Sequence, residues 1–191
     1  ATYLIRDDAS TFHTYYMDVA TGAPRYGNTQ QGYADDSCWS RGQAWGIYGF
    51  LLSYIYTGDE TMIALSKRLA NYFLNRLPED YVCHWDLALV GTDALRDSSS
   101  AAIAVCGLLE LVKHLPVTDP DRERYLEWAK GIMSSLTKHY LMGKEEKGNG
   151  LLKHSVYHLA SNKGVNECAS WGDYFYVEAL VRFTQSWKLY W

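Results

Sequence analysis

Ala101-Ala102-Ile103-Ala104-Val105-Cys106-Gly107-Leu108-Leu109 is the stretch that decides the fold. It carries no charge on any helical face, so a helix built from it must be buried nearly all round. Asp97-Ser98-Ser99 stands just ahead of it and offers good N-cap side chains. A helix of this kind needs apolar neighbours on several sides, and the flanking sequence supplies them. Upstream, Ile47, Phe50, Leu51, Tyr54 and Ile55 recur at helical spacing and make one apolar face of a helix over 39–56. Gly58 ends that helix. Asp59 caps a second one that runs to residue 76, with Leu69, Tyr72 and Phe73 facing inward and Pro78 closing it. Downstream, Asp119-Pro120 gives a cap followed by proline at the first helical position. The fourth helix then runs to 141 with Tyr125, Trp128, Ala129, Ile132 and Leu136 on one side, and a fifth covers 172–187.

The helices alternate in character. Those at 39–56, 101–113 and 172–187 are apolar and rich in small residues, while those at 60–76 and 121–141 each keep one charged face. Inner helices packed on both sides and outer helices packed on one are what a barrel of helical hairpins requires. Five helices cannot close a double ring of twelve, so the pattern fits about half of such a barrel. An irregular helical bundle has the same periodicity and stays open at this point. Residues 11–36 hold Gly22, Pro24, Gly27 and Gly32 without helical periodicity and read as short strands and loops.

The bulk numbers narrow the class. A chain of 191 residues, 48% apolar and 21% charged, can bury a single-domain core. Net charge is −4 and the basic residues are scattered, which disfavours nucleic acid as a partner. No apolar run of membrane-spanning length and no signal-peptide pattern occur. Cys38, Cys83, Cys106 and Cys168 form no CxxC pair, so a zinc site is disfavoured and free thiols in a reducing cytosol are expected. The chain opens at Ala1 in a segment that reads like the tail of an element already under way, so a fragment or a processed product is expected.

Chemistry concentrates near the first inner helix. Seven Trp and sixteen Tyr can build a core or can stack on sugar rings. In Trp39-Ser40-Arg41-Gly42-Gln43-Ala44-Trp45, Arg41 and Trp45 are four residues apart and share a helical face. A guanidinium between indoles can receive a sugar carboxylate bidentately. The other reading is a structural arginine stacked on tryptophan. His13 is a lone histidine, Asp35-Asp36 suits turns or caps, Asp97 reads as a helix cap, and His158, Ser161, Asn162 and Lys163 make a polar loop.

Several strings together resemble glycoside hydrolase family 88: T-Q-Q-G-Y at Thr29–Tyr33, W-S-R-G-Q-A-W at Trp39–Trp45, W-D-L at Trp85–Leu87, R-D-S-S-S-A-A-I at Arg96–Ile103 and W-G-D-Y-F at Trp171–Phe175. The resemblance spans the chain with the motifs in order. It implies an all-α (α/α)6 six-hairpin barrel, of which residues 1–191 supply the C-terminal half. It also implies removal of a 4,5-unsaturated glucuronic acid from oligosaccharides left by polysaccharide lyases. In that chemistry an Asp protonates the vinyl-ether double bond, water adds at C5, and the hemiketal opens, without metal or organic cofactor. Carried over by motif, His13, Thr29 and Gln31 line the pocket, Trp39 and Trp45 pack on the sugar, Arg41 meets the carboxylate, and Gly27 lets the chain pass close to the ligand. The family's catalytic Asp is expected upstream of Ala1, so no catalytic residue is assigned in this chain. Alternatives with the same scaffold are an unsaturated rhamnogalacturonyl hydrolase and a non-catalytic carbohydrate-binding fragment. The expected partners are the unsaturated oligosaccharide and either the missing N-terminal half or a second copy. The expected compartment is the bacterial cytoplasm, with the periplasm as the other option.

Overall fold

The computed structural model describes residues 2–189 and is mostly helical. Ala1 and residues 190–191, the ends of the span read as one domain, lie outside the described residues. Five α-helices are present among the described residues: α1 (Ser40–Thr57), α2 (Glu60–Leu74), α3 (Ser98–His114), α4 (Pro120–Ser135) and α5 (Ser170–Thr184). Two antiparallel hairpins accompany them, β1 (Thr14–Met17) with β2 (Pro24–Asn28), and β3 (Ser155–His158) with β4 (Lys163–Glu167).

The reading of α3 holds. Every residue from Ser98 to Leu108 is buried, and the helix lies between α1 and α5. The helix α2 packs on α1, and α4 packs on α3. The apolar helices α1, α3 and α5 thus form a row backed by two amphipathic ones. The caps also hold: Asp59 accepts from Thr61 N, Asp97 from Ser99 N and Ser100 N, and Asp119 from Asp121 N with Pro120 opening α4.

Two local expectations need correction. The fourth helix is not α-helical to residue 141; its last turn, Leu136–Tyr140, is π-helical. Leu136 and Tyr140 are both buried there, and the Tyr140 hydroxyl donates to Asp80 Oδ2 at 2.7 Å. The segment read as a polar loop around His158 is the β3–β4 hairpin, turning through Asn162 in the left-handed conformation. Strands this short carry too little alternation to register as strands in sequence.

The row of helices is pinned at both ends by buried charge. At one end Asp97, with no exposed surface, caps α3 and pairs with Arg41 Nη1 of α1 at 2.5 Å. At the other, Arg182 of α5 binds Glu110 of α3 and reaches Glu178 Oε1 at 2.8 Å and the Tyr48 hydroxyl of α1 at 2.5 Å. Removing one member of a buried pair leaves an uncompensated charge, which typically costs several kcal/mol. Asp97→Ala deletes both the ion pair and the cap. It is expected to lower unfolding stability by about 3–5 kcal/mol, read by urea denaturation; a loss below about 1 kcal/mol would contradict this role for Asp97.

Candidate functional site

The first turns of α1, α3 and α5 meet, and the candidate site is built over them. Ser40 N donates to Trp85 O, and its Oγ lies within hydrogen-bond distance of both that carbonyl, at 3.0 Å, and Ser100 Oγ, at 2.9 Å. Asp86, fully buried, then gathers the approach to α1. Its Oδ2 accepts from Tyr33 N at 2.9 Å and Ser37 Oγ at 2.6 Å, while Oδ1 accepts from Cys38 N at 3.2 Å. The turn before it is tight. Thr29 Oγ1 accepts from Gly32 N at 2.7 Å, and a Cβ on Gly32 would lie 2.6 Å from that oxygen, so only glycine fits. The turn aims two main-chain amides at His13: Gln30 N and Gln31 N lie 3.1 and 3.2 Å from Nδ1.

His13 in turn stacks on Trp39, with ring centroids 4.2 Å apart and an interplanar angle of 28°. The Arg41 guanidinium lies 4.6 Å from the Trp39 ring and 5.3 Å from the Trp171 ring. His13, Trp39, Arg41 and Trp171 thus form a chain of flat groups, each lying against the next. A cleft of about 540 Å³ opens beside it, lined by His13, Trp39 and Trp45 with Phe12, Phe50 and the glycines along α1. Trp45 packs edge-on against Phe175 and keeps 39% of its surface exposed.

The expected site residues are therefore largely brought together. His13, Thr29, Gln31 and Trp39 are linked through the turn and the stack, and Trp45 shares the cleft with His13 and Trp39. Gln31 also ties the turn to the second hairpin, donating from Nε2 to Tyr157 O at 2.9 Å. Two expectations are corrected. Arg41 does not present a free guanidinium to the cleft. It is 3% exposed, and its donors go to Asp97, Ser99 Oγ, Val156 O and Tyr157 O. Its charge is matched by Asp97 and both terminal nitrogens are engaged, so the guanidinium is held at the helix starts and does not line the cleft. Gly27 is needed for a neighbour, not for a ligand: a Cβ there would lie 2.3 Å from the Phe12 ring.

Sequence reading missed three contributors. Asp97 was legible as a cap but not as the partner of Arg41, 56 residues away. Asp86 and Trp171 stand in the quoted W-D-L and W-G-D-Y-F strings, yet only the fold reveals one as an anchor for the turn and the other as the floor of the stack. Among the described residues no group of histidine, cysteine and acidic side chains could hold a metal ion.

His13 and His84 resist protonation. Burial first, then the charges of Arg41 and His158, hold His13 below its ordinary value of 6.5. Burial does the same for His84, helped by Arg96 and opposed by the Ala94 carbonyl and Asp80. A depressed histidine value means that the unfolded chain binds more protons below about pH 6.5, so this contribution to stability is complete above that pH and is lost on acidification. The urea midpoint is expected to fall between about pH 7.5 and pH 5.5, before carboxylates titrate, and an equal midpoint at both would contradict the shifts.

No family model matches the chain. It is 52% identical over 192 residues to an unsaturated chondroitin disaccharide hydrolase of Streptococcus pneumoniae, a match covering 100% of this chain and 48% of that protein. The crystal structure of unsaturated glucuronyl hydrolase from Streptococcus agalactiae superposes with a TM-score of 0.93 at 51% identity, covering 98% of this chain and 48% of that one. A mutant of that enzyme complexed with dGlcA-GalNAc6S superposes with a TM-score of 0.88 at 51% identity, covering 98% of this chain and 50% of that one. The chain thus spans about half the length of the proteins it matches. With its sequence similar throughout and its helices and hairpins superposing, the chain is similar to about half of the unsaturated glucuronyl hydrolases and shares their fold over that half.

Proposed function

We propose that this chain forms the substrate-binding wall of a hydrolase that removes 4,5-unsaturated glucuronic acid from the non-reducing end of lyase-generated oligosaccharides. The single observation that carries the reading is the cleft in which His13, Trp39 and Trp45 converge. Indole faces suit the flattened, dehydrated sugar ring, and the imidazole offers it a polar edge. The names of the relatives and the disaccharide held by one of them support the same substrate class.

The proposed chemistry is hydration of the vinyl ether, with a carboxylic acid protonating the double bond, water adding at C5 and the hemiketal opening. Among the described residues no Asp or Glu lines the cleft, so we place the proton donor in residues outside this chain. The proposed architecture follows: the row α1, α3, α5 with its backing helices α2 and α4 is about half of an (α/α)6 barrel. Apolar side chains left exposed on α1 (Trp45, Tyr56) and on α5 (Tyr174, Val177, Leu180) support a seam with the remaining half. The four free cysteines suit a reducing interior, and the cytoplasm is the proposed compartment.

Two experiments test this reading. A polypeptide joining this chain to the other half of a relative is expected to consume the ultraviolet absorbance of an unsaturated chondroitin disaccharide, while this chain alone leaves it intact; an inactive joined polypeptide would reject the assignment. In light scattering the chain alone is expected to associate beyond its 21.8 kDa, and Val177→Glu is expected to return it toward a monomer. A wild-type chain already monomeric at all concentrations would count against the seam.

A further inference from the structure

A second cavity, of about 670 Å³, shares no lining residue with the cleft. Its wall is built wholly from this chain, and it takes no part in the proposed hydrolysis. Arg96 stands in that wall with its guanidinium held along one edge. Its Nε donates to Asp80 Oδ2 at 3.1 Å, and its Nη1 rests against the buried His84 ring, 2.7 Å from Nδ1. Asp80 is fixed in turn by the Tyr140 hydroxyl at 2.7 Å. Nη2 of Arg96 has no hydrogen-bond partner among the described residues. His154 and Asn166 make a second fixed pair in the same wall. His154 Nδ1 lies 2.6 Å from Asn166 Oδ1. An amide oxygen only accepts, so Nδ1 donates, and the Asn166 NH2 and His154 Nε2 keep their valences for another partner. The His154 ring meets Tyr140 edge-on at 5.6 Å, which joins the two pairs.

The charges of the wall narrow what it can hold. Apart from the histidines, its ionised side chains are Arg96, Asp80 and Asp93. Asp80 matches Arg96, and the exposed Asp93 carboxylate adds an uncompensated negative charge that repels an oxyanion. No group of histidine, cysteine and acidic side chains among the described residues could hold a metal ion. The open valences are donors on Arg96 and Asn166 and acceptors on Asp93 and His154. A pair of neighbouring hydroxyls satisfies both kinds, because each hydroxyl donates and accepts. The planar groups that offer them are already fixed, so little ordering is needed on binding.

We infer that this cavity is a binding site for one neutral sugar residue, a hexose or an N-acetylhexosamine, held by Arg96, Asn166 and Asp93. It is separate from the cleft and does not depend on the reaction proposed there.

The test uses the whole 191-residue chain, with N-acetylgalactosamine and its methyl glycoside as probes. NMR signals of the His139 and His154 rings, both in the cavity wall, are expected to shift and saturate with either probe. Binding of the free sugar alone also supports the inference and identifies the occupant as a free sugar instead of a unit within a chain. Asn166→Gly removes the amide while keeping the left-handed backbone found there, φ 60°. It is expected to weaken binding about fivefold or more, the scale of one lost hydrogen bond. Asp93→Ala should weaken it similarly, and its exposed position carries the test even if Asn166→Gly does not fold. Absence of a saturable shift, tighter binding in Asp93→Ala, or sodium sulfate displacing the sugar at matched ionic strength overturns the inference. His13 signals report on the cleft separately, so the proposed function stands or falls on its own.

Discussion

One carboxylate organises this molecule. Asp97 closes the first turn of α3, draws in the guanidinium of α1, and sits where three helices begin. The aligned peptide dipoles place partial positive charge at those helical beginnings, so an anion there is favoured by the backbone as well as by Arg41. The hydroxyls of Ser99 and Ser100 complete its coordination at 2.6 and 2.8 Å. Without that set of donors, a carboxylate with no access to water would be strongly destabilising. The β3 carbonyls of Val156 and Tyr157 bind the same guanidinium, so the second hairpin takes its place from the same centre.

From that centre the ordering passes outward through flat groups. The guanidinium supports Trp39, Trp39 supports His13, and the 29–32 turn holds His13 from its edge. Each layer restricts its neighbour without a flexible link, which is a means of fixing a binding group before any ligand arrives. Trp171 closes the chain of flat groups and brings α5 into it. The site is therefore shared by the second hairpin, the 29–32 turn and the first turns of three helices, and none of them could form it alone.

Much of this was legible in sequence for a plain reason. Helices announce themselves by local periodicity and by caps such as Asp59, Asp97 and Asp119, whose partners lie within three residues. The residues around His13 were legible through motif resemblance, and the turn, stack and cleft do bring His13, Thr29, Gln31, Trp39 and Trp45 together. What stayed hidden is non-local. Arg41 looked like a receptor because its strongest partner, Asp97, was already explained as a cap. The spacing of Gly27 gave no hint that the Phe12 ring fills the space beside it. The π-helical turn at Leu136–Tyr140 was invisible because it keeps inward-pointing residues that an α-helical reading also tolerates.

The charge network at the far end of the row has a consequence for how α5 is seated. Rolling α5 about its axis would tuck Val177 and Leu180 inward and satisfy the hydrophobic effect, but it would carry Arg182 away from Glu110 and Tyr48. Glu110, whose side chain has no exposed surface, would then lose its buried guanidinium and keep only Lys113 and His114 at its edge, a penalty of the same several-kcal/mol scale that opposes the gain from hiding two aliphatic side chains. Glu110, Glu178 and Arg182 therefore act as a rotational detent: they hold a greasy flank of the helix turned toward whatever docks beside it.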